Sequence, residues 1–285
     1  MTNYSLHNEI NTDRAWQQLY TRLEQDGLLT ASHKRTVRFP SAHLRWAAAI
    51  LVLCIGVATF TILNKQDAAV DTLMSLQNEK GAVTLVATLE DGSIVYLADD
   101  TRLDYPEHFQ SDKREVSLRG QALFDVTSRH EHPFVIETEL ALIEVIGTAF
   151  DVQSTDRIPF ELSVQRGEVK VVLKQNGQTL HVKNGETARL VLGSLKLEPT
   201  TDPVHFSHYT ERIRFKGEKL TNILRVINNR GGNLSLQTTP VLENREITVT
   251  FADNDTPESI AELICTAFHL KCNKQANDIL LISEP

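Results

Sequence analysis

From Trp46 to Leu63 the chain reads WAAAILVLCIGVATFTIL, a stretch of roughly 18 residues without a charge. At about 1.5 Å per residue such a helix covers about 27 Å, close to the roughly 30 Å hydrocarbon core of a bilayer. A helix buried in a globular core seldom lacks a polar face over five turns. The run therefore predicts one transmembrane helix, within residues 44–64. Trp46 stands where an interfacial aromatic is expected, and Gly56 and Thr59 are tolerated in such a helix. Lys34, Arg35, Arg38 and Arg45 precede the run, whereas Lys65 follows it together with Asp67 and Asp71. The excess of cations before the run predicts that residues 1–43 stay in the cytoplasm and the remainder is exported. More than forty residues precede the run, too many for a cleaved signal peptide. Leu53 before Cys54 is too large for a lipoprotein cleavage site, so Cys54 is expected to be a lipid-facing or packing thiol.

Before the membrane segment, Trp16, Leu19, Tyr20 and Leu23 fall at i, i+3, i+4 and i+7. This is one helical stripe. Asn11 or Thr12 can cap its start, Asp13 suits the first turn, and Gly27 can end it. A lone helix this short is marginal in water and cannot cover its own stripe. Two fates remain open: docking in a partner's groove, or resting on the membrane surface as a frayed tail.

Residues 65–79 are expected to form a linker, after which the hydrophobic period changes from 3.6 to 2. Val83, Leu85, Ala87 and Leu89 alternate up to the Asp91-Gly92 turn, and Ile94 and Tyr96 resume beyond it. Val169, Val171 and Leu173 lead to Asn176-Gly177, then Leu180 and Val182 to Asn184-Gly185, followed by Ala188, Leu190 and Leu192. With no helical pattern between Gly81 and Leu197, residues 80–198 predict an all-β domain: sandwich, barrel or short solenoid.

A series of motifs runs through this region. Leu89-Glu-Asp-Gly-Ser-Ile-Val-Tyr-Leu97, Leu103-Asp-Tyr-Pro106, Arg114-Glu-Val-Ser-Leu-Arg-Gly120 and Gln121-Ala-Leu-Phe-Asp-Val126 come first. Pro133-Phe-Val-Ile136, Val145-Ile-Gly-Thr-Ala-Phe-Asp-Val152 and Gly167-Glu-Val-Lys-Val171 complete it. The series resembles the FecR-type transmembrane anti-sigma factors in the form common in Bacteroidetes. Departures from that pattern are Asp99-Asp100 in place of a small turn pair, Leu123 in place of an aromatic, and Asp151 in place of Asn. Gly120 and Gly147 are expected at turns or close strand contacts.

Beyond a linker at Glu198-Pro-Thr-Thr-Asp-Pro203, residues 210–284 suggest two βαβ units in a small α+β domain. The first has a strand at Ile213 and Phe215, a helical stripe of Leu220, Ile223, Leu224 and Ile227, then Leu234 and Leu236. The second has Ile247, Val249 and Phe251, a stripe of Ile260, Leu263, Ile264 and Ala267, then Leu270, Cys272 and Ile279–Ile282. Thr256 and Pro257 mark the second helix start. This order resembles the secretin and TonB short N-terminal domain that closes FecR-like proteins. Cys265 and Cys272 could form a disulfide outside the cytoplasm, but two buried thiols are expected. The fold class predicted for the whole chain is mostly β with α+β: an amphipathic helix, one membrane helix, an all-β domain and a βαβ-repeat domain.

Chemistry-bearing motifs are sparse. His130-Glu-His132 and His205-Phe-Ser-His208 lack a third ligand at a telling spacing. Arg230-Gly-Gly232 lacks the Lys-Ser/Thr of a phosphate-cradling loop. A net charge of −8 and 6% aromatic residues disfavour direct nucleic-acid binding. No cofactor, metal or catalytic residue is expected, and the resemblance likewise implies no enzyme. It implies a protein of the inner membrane with periplasmic C-terminal domains. Its stripe of Trp16, Leu19, Tyr20 and Leu23 would bind an extracytoplasmic-function sigma factor. Its exported part would meet the signalling domain of a TonB-dependent outer-membrane transporter, and an intramembrane protease could release the signal. The competing expectation is a membrane-tethered periplasmic scaffold or glycan-binding module with no sigma-factor partner.

Overall fold

The computed structural model describes residues 12–27, 55–56, 59 and 73–285, apart from 156–158, 202–204, 231–233, 253 and 276–277. The chain divides into two units, residues 1–68 and 69–285. In the first, helix α1 spans Thr12–Gln25, with Asp13 in its first turn and Arg22 in its last, each complementing the helix dipole. Gly27 follows at φ 69°, a left-handed position that suits glycine. Ile55, Gly56 and Thr59 are helical. Trp46 and Leu63, and with them the expected membrane crossing, lie outside the described residues. Among the described residues no helix is long and apolar enough to cross a membrane.

The second unit begins inside the stretch expected to be linker. Strand β1 (Leu73–Asn78) pairs antiparallel with β4 (Thr101–Pro106), which corrects the reading of 65–79. Only Leu76 packs on the core, and Asn78 is anchored by its side chain, whose amide donates to the carbonyls of Val83, Leu97 and Ala98. That leaves too little alternation for the strand to show in the sequence.

The remaining strands to residue 199 are β2 (Thr84–Thr88), β3 (Ile94–Leu97), β5 (Arg114–Asp125), β6 (Phe134–Glu137), β7 (Ala141–Val145) and β8 (Ala149–Ser154). After these come β9 (Glu161–Arg166), β10 (Glu168–Leu173), β11 (Thr179–Lys183), β12 (Glu186–Val191) and β13 (Ser194–Pro199). They form two layers that share β5: β1-β4-β5-β6-β7-β10-β11 on one side and β2-β3-β5-β8-β9-β12-β13 on the other. The first half of β5 pairs with β4 and β6, and its second half with β3 and β8. The crossing falls at Gly120, where φ is 119° and an added Cβ would sit 2.8 Å from the Thr101 Cα. Only glycine lets the strand pass from one sheet to the other there. The Asn184-Gly185 turn is likewise a corner between layers, because β11 and β12 lie in different ones. Between the layers sit Leu97, Leu118, Phe124, Phe134, Phe150 and Val152 among others, with Phe124 and Phe150 stacked at 5.6 Å.

The C-terminal half carries β14 (Arg212–Lys219), α2 (Leu220–Asn229), β15 (Ser235–Thr238), β16 (Glu246–Ala252), α3 (Pro257–Phe268), β17 (Lys271–Gln275) and β18 (Ile279–Ser283). Both helices were expected, and Thr256 caps α3 by accepting from the Ser259 N–H at 3.2 Å. Three expectations need correction. The strands of each unit do not share a sheet: β14 pairs with β16, while β15 and β17 flank β18 in a separate three-stranded sheet. The buried face of α3 is Ile260, Ala261, Ile264 and Cys265, leaving Leu263 44% exposed. Finally, Cys265 and Cys272 are joined in a disulfide, with Cα atoms 6.3 Å apart.

Nor is this half a detached domain. Strand β14 pairs in parallel with β2, so the β sandwich continues directly into β14 and β16. Val86, Ile94, Tyr96 and Leu123 project from the sandwich into the same cluster as Leu220, Val226 and Phe251. This explains why all four residues of β3 are buried: Val95 and Leu97 face the sandwich interior, Ile94 and Tyr96 the C-terminal helices.

Candidate functional site

The residues singled out for partner binding lie together on α1. Trp16 is 60% exposed, Tyr20 61% and Leu19 46%, while Leu23 is half-buried. The helix is held by its own backbone and by end signals, with Thr21 Oγ1 bonding back to the Gln17 carbonyl at 2.8 Å. An indole, a phenol and a leucine exposed on adjacent turns form an apolar ridge, a surface chemistry suited to insertion into a groove. Trp16 and Tyr20 can supply the large, rigid anchors that dominate binding energy at interfaces.

In the second unit, the residue type that periodicity missed is the buried polar side chain. Arg114, at the start of β5, and Asp91, in the β2–β3 turn, are each 2% exposed and paired at 2.6 Å. The Asp91 carboxylate also accepts from the Ser93 N–H and hydroxyl. Arg114 donates further to the carbonyls of His132, Thr127 and Ile146 and lies 5.3 Å from the Phe134 ring centre. Three segments distant in sequence, the β2–β3 turn, the β5–β6 loop and the β7–β8 turn, are tied to one guanidinium. Gly147, next to Ile146, is packed so tightly that an added Cβ would sit 2.5 Å from the Ser128 Cα. The Asp-Gly-Ser, Arg-Glu-Val and Ile-Gly-Thr motifs thus meet in space as one structural knot.

A second buried carboxylate holds the junction of the two halves. Asp151 on β8 accepts from the Tyr209 hydroxyl and from His205 Nε2 at 3.0 Å. Tyr209 is fully buried in a short 3₁₀ turn (Ser207–Tyr209), and burial followed by the adjacent Asp151 charge pushes its phenol far above the ordinary value. It stays a donor at every physiological pH. His205 and His208, weighed as metal ligands, are here structural partners of Asp151 and Tyr209. Among the described residues no group of three His, Cys, Asp or Glu side chains is arranged to hold a metal.

Residues 79–170, which contain the Arg114 knot and Asp151, match the FecR protein family model. These residues are a FecR domain. The FecR domain accordingly owns β2 to β9 and the glycine crossing at Gly120. Two crystal structures of a candidate anti-sigma factor from Parabacteroides distasonis ATCC 8503, at 2.50 and 1.65 Å resolution, are similar to the chain at 21% and 20% identity. They cover 75% and 74% of it and 99% of their own lengths, each with a TM-score of 0.46. No curated protein matches the chain significantly.

Proposed function

We propose that the chain is a transmembrane anti-sigma factor that binds an extracytoplasmic-function sigma factor through α1. On the exported side it senses the signalling domain of a TonB-dependent outer-membrane transporter. The observation that carries this is an exposed Trp16-Leu19-Tyr20 ridge on a helix of a chain that also contains a FecR domain. Among the described residues this apolar ridge is exposed, and a short helix of this kind is marginal alone in water, which supports docking in a partner's groove. The Cys265–Cys272 disulfide supports export of the second unit, since such bonds persist in oxidising compartments. The continuous sheet from the FecR domain into β14 and β16 supports sensing as one body: a transporter domain docked on the C-terminal half acts on the FecR domain without a hinge. One membrane helix is a poor lever for rigid motion, so release by an intramembrane protease, or a change in helix position, fits a single-span design.

The test is whether an extracytoplasmic-function sigma-factor gene adjoins the gene for this chain, followed by direct binding of its product to the full-length chain in nanodiscs. Trp16→Ala is expected to weaken that binding by about 2 kcal/mol, roughly thirtyfold. It should leave the thermal unfolding of the second unit unchanged. Unaltered affinity would remove the docking role and favour a tethered periplasmic scaffold.

A further inference from the structure

Helix α2 lies against the outer face of the FecR sheet, and a groove follows their junction. Two adjoining cavities of about 330 and 320 Å³ open along it and share Asp125, Arg166 and Asn229. Tyr96 and Arg230 line one of them, Arg225 and Ser128 the other. Three arginines and a single carboxylate, Asp125, therefore line the two cavities, in a chain whose net charge is −8. Arg166 pairs with Asp125 at 2.7 Å, but both side chains are open to solvent, so the pair holds weakly. Arg225 and Arg230 meet no carboxylate among the described residues. Arg225 reaches the Asn222 side chain at 3.4 Å, and Arg230 donates from one Nη to the Thr210 carbonyl at 3.0 Å. Among the described residues the Arg230 Nε is buried without an acceptor, an arrangement that leaves a donor's desolvation uncompensated. Arg225 Nη1 lies 3.2 Å from where a Cβ on Gly92 would sit, so this guanidinium extends from α2 over the β2–β3 turn. Burial pushes the Tyr96 phenol up to about 12, which keeps it a hydrogen-bond donor beside the arginines.

We propose that this groove binds a small multivalent oxyanion, bearing carboxylate or phosphate groups, between Arg166 of the FecR domain and Arg225 and Arg230 of the C-terminal half. Guanidinium forks match the geometry of both oxyanions and bind them more strongly than neutral donors do. The cavities lie at the small end of the range for ligand pockets, which fits a compact polyacid rather than a folded partner. Because its donors come from both halves, an occupant braces the junction already held by Asp151 and Tyr209. The inference stands on the groove alone and does not depend on the sigma-factor reading.

Titration calorimetry of the full-length chain in nanodiscs, at low salt, decides it with inorganic phosphate and with tricarballylate as probes. Saturable binding of at least one probe is expected, the preferred probe distinguishing phosphate from carboxylate chemistry. Affinity should fall tenfold or more in Arg225→Gln and in Arg230→Gln, and should stay unchanged in Arg189→Gln, whose side chain pairs with Glu161 and Glu198. Arg225 is exposed, so its replacement leaves the fold intact. Absence of saturable heat with both probes overturns the proposal, as does wild-type affinity in Arg225→Gln or an equal loss in Arg189→Gln.

Discussion

Arg114 shows how a residue's role can be hidden in its pattern position. It opens the alternating run of β5, where an arginine reads as a surface residue, yet it is the most deeply placed cation described. Removing it strands Asp91 in the interior. Arg114→Met is expected to lower unfolding free energy by about 3–5 kcal/mol, measured by urea denaturation. A loss below about 1 kcal/mol would mean that Asp91 finds another partner. Asp151 belongs to the same class. In the sequence it stands out only as a departure from Asn, while its partners come from a connector 54 and 58 residues away. Asp151→Ala leaves the Tyr209 hydroxyl short of an acceptor and is expected to cost about 1–3 kcal/mol. Asp151→Asn, which keeps an acceptor, should cost less. The pairing of Cys265 with Cys272 departs from the expected free thiols for a geometric reason. Sequence gives their separation of seven residues but not the turn at His269, whose left-handed backbone brings the chain back onto α3. Replacing both by serine should cost roughly 2–3 kcal/mol by loop entropy.

Elements were legible where one face was buried and the other wet. α2, β10 and β16 follow their predicted stripes, because each buries a single apolar face, whereas α1 has one apolar face and exposes it. β3 and the second half of β5 were less legible, since Ile94, Tyr96 and Leu123 serve a second core supplied by residues more than a hundred positions later. α3 was placed correctly but rotated: Leu263 looks like core and is exposed, while Ala261 is buried because a small side chain allows close approach. Glu90, in the β2–β3 turn, is held below the usual carboxylate value by the Phe109 N–H of the β4–β5 loop and then by His108, and His108 is raised by Glu90. The carboxylate's contribution is present above its ordinary value of 4.5 and is lost as pH falls through the lowered one. The histidine's is complete below 6.5 and fades as pH rises through the raised one. The clip is therefore strongest between those two values. His108→Gln should lower the melting temperature at about pH 5.5 and leave it unchanged near pH 9, as scanning calorimetry would show. An equal change at both would separate the loop's stability from this pair.

At the scale of the whole molecule, the order of parts was readable and their fusion was not. Parallel pairing of β2 with β14 joins strands about 130 residues apart, and nothing local in either segment announces it. The boundary at residues 198–209 has a linker's composition, yet its Tyr209 is buried and bonded to the FecR domain. The proposed signalling rests on which side of the membrane each of the two units occupies. The proposed function requires the α1 ridge to face a sigma factor in the cytoplasm and the disulfide-bearing unit to lie across the inner membrane. The most direct test is limited proteolysis of intact spheroplasts, with tags at both ends of the full-length chain. Protease added outside is expected to digest the C-terminal region while sparing the first forty or so residues. Protection of the C-terminal region together with loss of the N-terminal tag would contradict the account.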